Sequence, residues 1–487
     1  MIPLARPAPA RVATRRGPLH VPALLALVLV LGGTLGLGFV SGALARPVFL
    51  LGCLGVGYLA WREGAARSVE CAIYVFCFAP LLRRVADYGA GYDHSGLMLL
   101  GPLLVISLPL LDLRDLLLRR LPGEADLAPM LLSATCLVYG WGLSAFDGEI
   151  VVATTGLVKV LVPIAYGAWV MRAAQRNEPI IEAASRAFLI ATPIMGIYGF
   201  LQYVNPWPWD RYWMLSSRMA TIGLPEPYQI RVFGTSNSPA IFATYSAVGL
   251  LLFGFCRSGW QSALLALPVS LGLLLSMYRT AWISLVVGVL YCAVFSRTRG
   301  RAGLIVAAIA VAIVLAAGST EFGEAIVDRL ATLGGSVSED GSGGERLAQY
   351  MAFYTNLDRF ILGKGYITEE FNGTNALDGE VMIAWVTLGL LVGTLLLAGL
   401  VWAGVQGLSR ISGQHSSTRI VSGAVIAGLL AQLPLATISS GEVAVLFWTF
   451  VAVATGQASP SRNGAELAAP SRSVPPVAGP VAARRRV

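Results

Sequence analysis

Charge is scarce in this chain. Of its 487 residues, 13% are Asp, Glu, Lys or Arg, against 56% hydrophobic. That balance excludes a water-soluble domain, which could not hide so much apolar surface. Histidine is nearly missing: the three that occur, His20, His94 and His415, are scattered, so a histidine-based metal centre is not expected. The six cysteines, Cys53, Cys71, Cys77, Cys136, Cys256 and Cys292, form no CxxC pair and fall in or beside apolar runs. They read as small buried apolar side chains, with no disulfide frame and no zinc site. The long runs also lack the polar–apolar alternation of membrane strands, which argues against a barrel.

What the sequence does have is a succession of apolar runs near the ~20 residues that cross a bilayer as a helix. Mean hydropathy is +0.69. Candidate spans lie near 21–40, 46–60, 69–82, 95–112, 128–146, 151–171, 182–203, 237–256, 261–277, 280–296, 302–318, 380–404, 419–438 and 442–457. The expected fold is an all-α polytopic integral membrane protein with about 12–14 transmembrane helices, the lower figure applying if short runs do not cross. The first run is long enough to remain as a span, so no secretory signal peptide need be invoked.

Basic residues orient these spans. With Arg6, Arg11, Arg15 and Arg16 in the cytoplasm, the loops WREGAAR, DLRDLLLRRLPGEAD, MRAAQRNEP, CRSGWQ, SRTRGR and SRISGQHSSTR, and the Arg-rich tail, also fall inside. Both termini are then expected in the cytoplasm. Short basic loops thus concentrate on one side, with Arg83 and Arg84 as the main exception. Two outer loops are long: 204–236, rich in Pro and Trp, and 319–379. Long loops in a compact protein are usually functional or disordered. The Pro-, Ala- and Ser-rich tail reads as disordered, with Arg484–Arg486 near anionic lipid at most.

The stretch LLALPVSLGLLLSMYRTAWISLVVGVLYCAVF, 264–295, carries one charge, Arg279. A charge at mid-bilayer costs at least ~2.5–3.5 kcal/mol. One helix through the stretch would be roughly 50 Å long, against a hydrocarbon core of ~30 Å. Two helices joined at SMYRT fit better, with Arg279 at the outer start of the second. It reads either as an interfacial arginine snorkelling beside Tyr278 and Trp282, or as a cation over an outward cavity.

Other outer features share this side. Arg231 precedes TSNSP, where Asn237 or a serine caps and Pro239 opens a span whose free N–H groups would suit an anion. Arg346 lies on an expected outer amphipathic helix with Leu347, Tyr350, Met351 and Tyr354 on one face. Asp378 and Glu380 stand where the next span begins, either complementing its dipole or serving an incoming hydroxyl. Several arginines and an acid on one face suit a lipid-linked pyrophosphate. PWPWDRYW would stack on sugar faces or form an interfacial aromatic belt.

These residues resemble the O-antigen ligase and O-antigen polymerase superfamily of bacterial envelope glycosyltransferases. The resemblance covers about 185–405 and rests on RVFGTSNSPAIFA at 231–243, SMYRTAW at 276–282, ERLAQY at 345–350, LGKGY at 362–366 and LDGEVMIAWVTLGLLVG at 377–393. It implies a GT-C-like, inverting, metal-independent transferase in the bacterial inner membrane. The donor would be an undecaprenyl-pyrophosphate-linked oligosaccharide, the site would face the periplasm, and no cofactor would be needed. Carried over, Arg231, Arg279 and Arg346 hold the pyrophosphate, with Asn237, Tyr278 and Glu380 in the substrate site. Many ligases have His-Asn where this chain has Asp378-Gly379, and polymerase-like members more often have an acid. The departure leaves open whether Asp378 takes the proton or only orients the acceptor, with Glu380, Glu369 and Glu370 as alternatives.

The resulting map is a cytoplasmic tail at 1–20, a transmembrane bundle at 21–203, a periplasmic aromatic loop at 204–236, helices bearing the Arg279 turn at 237–318, a long periplasmic loop at 319–379, further helices at 380–457, and a disordered cytoplasmic tail at 458–487. The expected activity is that of a polysaccharide polymerase making O-antigen, capsule or exopolysaccharide. A ligase, a protein O-oligosaccharyltransferase and, more distantly, a flippase for lipid-linked sugars are the alternatives. Expected partners are the lipid-linked glycan, membrane lipids and a polysaccharide chain-length regulator, with no nucleic acid.

Overall fold

The computed structural model describes residues 22–112, 127–217, 219, 222–257, 259–317, 341–366, 379–412 and 415–456. Among these the chain is helical, and its one bridge of strand type joins Gly223 to Ile230. The helices are α1 (Ala23–Val40), α2 (Gly42–Glu63), α3 (Ala65–Ala90), α4 (Leu100–Ser107), α5 (Ala128–Phe146), α6 (Ile150–Gln175), α7 (Ile180–Val204) and α8 (Pro208–Ser217). They continue as α9 (Pro239–Cys256), α10 (Trp260–Leu275), α11 (Arg279–Val294), α12 (Ser296–Ala317), α13 (Gly341–Thr355), α14 (Leu357–Phe360), α15 (Glu380–Ser409), α16 (Ser417–Gln432) and α17 (Gly441–Gly456).

Eight of them are long and apolar enough to cross a membrane: α1, α2, α3, α5, α6, α7, α9 and α15. Leu97–Asp112, α10, α11, α16 and α17 are shorter apolar segments. Large apolar side chains remain outside the packing, among them Leu29 at 62% and Leu51 at 68% exposure. In water such surface costs about 25 cal/mol per Å²; against lipid it costs nothing. The chain is therefore built as a multi-pass membrane protein.

Polar ties join the ends of helices distant in sequence. On the expected inner side, Ala23 N donates to Glu63 at 2.7 Å, Ala65 N to Glu178 at 3.0 Å, and Trp61 Nε1 to Asp112 at 2.8 Å. Arg297 reaches the carbonyl of His415, and Arg301 that of Phe255. On the expected outer side, Arg46 pairs with Asp87 at 2.8 Å, and Val232 N donates to the carbonyl of Leu275 at 3.1 Å.

Arg83 and Arg84, the outer exceptions, are both buried near the end of α3. Arg83 pairs with Asp87 at 3.3 Å and donates to the carbonyl of Asp93. Arg84 faces Asp210 of α8 at 3.2 Å and donates to the carbonyl of Gly234. The second carboxylate oxygen of Asp210 accepts from Tyr198 and Gln202. The Gln202 amide oxygen in turn accepts from the N–H groups of Phe233 and Gly234. A buried polar cluster thus fastens the aromatic loop, and with it RVFG, to α3 and α7.

α15 is broken at Gly389, which has φ +81°. The break leaves carbonyls of the preceding turn without helical partners, and unmet backbone groups cost several kcal/mol in hydrocarbon. LGKGY supplies the missing donors: Lys364 N bonds to the carbonyl of Val386 at 2.9 Å, and Gly365 N to that of Thr387 at 2.8 Å. Glycine is required at the crossing. A Cβ on Gly363 would strike the backbone of Gly389, and one on Gly389 would strike the carbonyl of Ile361.

On α13 the expected apolar face divides. Tyr350 packs with Phe353, Phe360 and Met382, while Met351 and Tyr354 stay exposed. Phe353, between them, is the fully buried residue, because the helix rests on α14 and α15 rather than lying alone on a surface.

Candidate active site

Residues 264–295 form two helices, α10 and α11, joined by Ser276–Tyr278. Arg279 is the first residue of α11, Tyr278 is its cap, and Met277 takes a left-handed φ of +52°. Arg231 clamps this turn: its guanidinium donates to the carbonyls of Ser276 at 3.3 Å and Met277 at 3.1 Å. These are carbonyls that the end of α10 leaves without helical partners. Two landmarks that looked independent in the sequence are therefore one structure.

Ser238, rather than Asn237, caps α9, its hydroxyl accepting from Ile241 N, and Pro239 takes the first helical position. The amide oxygen of Asn237 is buried and has no hydrogen-bond partner among the described residues.

Beside this turn lies a cavity of about 440 Å³. Tyr278 lines it, as do Ala240, Ile241 and Thr244 of α9, Gly379 before α15, and Gly441 and Glu442 at the start of α17. The N-terminal ends of α9, α15 and α17 thus contribute to one cavity, with that of α11 next to Tyr278. Each helix start carries roughly half a positive charge and unpaired N–H groups, so their convergence favours an anion. Lys159 of α6, Gln432 of α16 and Ser440 also reach the wall.

Tyr278 is in the cavity wall, and Arg279 follows it. Arg231 stabilises the turn that holds them. Glu380 is 1% exposed and is committed elsewhere. Its carboxylate accepts from Ile438 N at 2.7 Å, Ser439 N at 2.9 Å and the Ser439 hydroxyl. It thereby fixes the loop between α16 and α17 that carries Ser440 to the cavity. Asp378, Glu369, Glu370 and the side chain of Arg346 lie outside the described residues, as do 319–340, 1–20 and 458–487.

Lys159, Gln432 and Glu442 were not picked out as site residues from the sequence. A signal existed for Lys159, a lone cation inside an apolar run. Glu442 resembled a loop acid, and nothing in the pattern distinguished Gln432.

No protein-family model matches the chain, and no curated protein matches it.

Proposed function

We propose that the protein is a polysaccharide polymerase working at the outer face of the bacterial inner membrane, with the cavity beside Tyr278 as its active site. The growing glycan on its undecaprenyl pyrophosphate is the donor, and a sugar hydroxyl of a lipid-linked repeat unit is the acceptor. The observation that carries this reading is the convergence of helix N-termini on a cavity whose wall includes Tyr278, the residue before Arg279. Such a site suits a pyrophosphate whose charge grows as the glycosidic bond breaks. Arg231 holds the Arg279 turn and, with Arg279, offers cations to the leaving group; Arg346 is assigned to the same anion by resemblance. Asn237, just before the cap of α9, is assigned to the substrate site by resemblance. Asp378, next to Gly379 in the cavity wall, is assigned to the acceptor.

The broken helix α15 does not favour transport. Discontinuous helices in transporters open onto the substrate site, whereas here Lys364 and Gly365 close the break, and Gly389 is not in the cavity wall.

The test is a gel of product size. The purified protein is reconstituted with lipid-linked repeat units and no other acceptor, beside Arg279→Ala. The expected result is a ladder of increasing length, lost in the variant. No ladder from the wild type, with transfer to lipid A core or to a protein on their addition, would replace polymerase by ligase or protein O-oligosaccharyltransferase.

A further inference from the structure

Lys159 lies within α6, well inside an apolar run, where a cation costs at least ~2.5–3.5 kcal/mol unless it serves a polar site. It lines the cavity. Glu442, in the first turn of α17, lines the same cavity. Gln432 lines the same cavity and is 1% exposed. Its amide oxygen accepts from the Thr244 hydroxyl at 3.4 Å, while its amide nitrogen is buried with no partner among the described residues. A buried, unsatisfied donor costs about 1–3 kcal/mol.

An acid in the first turn of a helix is favourable by itself. That accounts for Glu442 alone and leaves Lys159 and the open donor of Gln432 unexplained. A ligand bearing both an anionic group and hydroxyls accounts for all three. Glu380 cannot fill the role of Glu442, since its oxygens are taken by Ile438 and Ser439.

We infer that Glu442 accepts the proton of the acceptor hydroxyl, with Lys159 and Gln432 completing a polar subsite for the reacting sugars and phosphate. This rests on the polymerase reading. The hydroxyl oxygen bonds to the anomeric carbon of the donor sugar. The bond from that carbon to the pyrophosphate oxygen breaks, and its electron pair leaves with the pyrophosphate. The hydroxyl proton passes to the Glu442 carboxylate and from there to water.

The test uses the full chain in lipid nanodiscs with radiolabelled lipid-linked repeat units. Wild type, Glu442→Gln, Glu442→Asp, Lys159→Met, Lys159→Arg and Asp378→Asn are compared for donor retention and polymer formation. Glu442→Gln is expected to keep the donor but lose polymer formation by ~100-fold or more, the usual contribution of a positioned proton acceptor. Glu442→Asp should recover part of the rate. Lys159→Met should weaken donor retention, and Lys159→Arg should restore it. Polymer formation by Glu442→Gln within a few-fold of wild type, with Asp378→Asn inactive, would overturn the inference and leave the polymerase reading standing. Loss of donor retention in Glu442→Gln would also overturn it, making Glu442 structural. A wild type that makes no polymer would instead remove the reading beneath it.

Discussion

Arg84 and Asp210 face each other at 3.2 Å, and both side chains are fully buried. The pair joins a transmembrane helix to the aromatic loop and sits one hydrogen bond from Gly234. Removing one partner of a buried pair strands the other charge, at about 3–5 kcal/mol. Arg84→Met and Asp210→Leu should each lower the melting temperature in detergent. The double variant should cost less than the sum of the two, because neither charge is left behind. Additive losses would mean that the pair is not coupled.

The clamp of Arg231 on Ser276 and Met277 uses two donor nitrogens, Nε and Nη2, of a planar guanidinium. A lysine has a single donor centre and cannot reproduce that fork. Arg231→Lys should therefore keep the charge yet lower polymer formation, roughly tenfold for a loss near 1.4 kcal/mol in positioning. Arg279→Ala should lose far more. Equal activity of Arg231→Lys and wild type would show that charge alone matters at Arg231.

The crossing of LGKGY over the broken helix gives a third expectation. Gly363→Ala and Gly389→Ala place a Cβ against backbone, at residues whose φ lies near +80°. Each should destabilise the protein by at least about 1–3 kcal/mol, the cost of a strained left-handed position. Size-exclusion after a thermal challenge measures it. Gly344→Ala, with nothing near its Cβ, is the control.

His415 gives the pH dependence. It sits between α15 and α16, where burial, and then the nearby Arg419, hold its imidazole below the ordinary value of 6.5. Its Nδ1 accepts from Ser412 N at 2.8 Å. The folded form resists protonation while the unfolded form takes the proton, so the contribution is whole above about pH 6.5 and declines as pH falls below it. Thermal stability should drop between pH 7.5 and 5.5, and His415→Gln should flatten that drop. An unchanged slope in the variant would assign the drop to other groups.

Much of the fold is legible in the sequence, because a bilayer imposes one rule on every span. The apolar runs, the division of 264–295 at SMYRT, and the Ser–Pro start of α9 all follow from length, polarity and capping. The broken helix was not legible. Its apolar run is continuous across Gly389, and the backbone that completes it comes from a loop before the helix. Arg83 and Arg84 looked like errors of orientation because their acids, Asp87 and Asp210, sit in a polar cluster that only the fold assembles. Glu380 was read as an acid at a helix start that complements the dipole or serves the substrate, since nothing local reveals that Ile438 and Ser439 will bond to it. Tyr278 and Arg279 were legible as a turn between two helices. The opposite wall of the cavity, with Lys159, Gln432 and Glu442, comes from helices distant in sequence.

The central claim is that a lipid pyrophosphate occupies the cavity beside Tyr278. Its most direct test is a cryo-electron microscopy structure in a nanodisc with a non-transferable lipid-linked donor. The account predicts pyrophosphate density between Tyr278 and Gly379, within reach of Arg279, with the lipid tail leaving the bundle sideways. Headgroup density elsewhere on the protein, with this cavity holding only water, would contradict it.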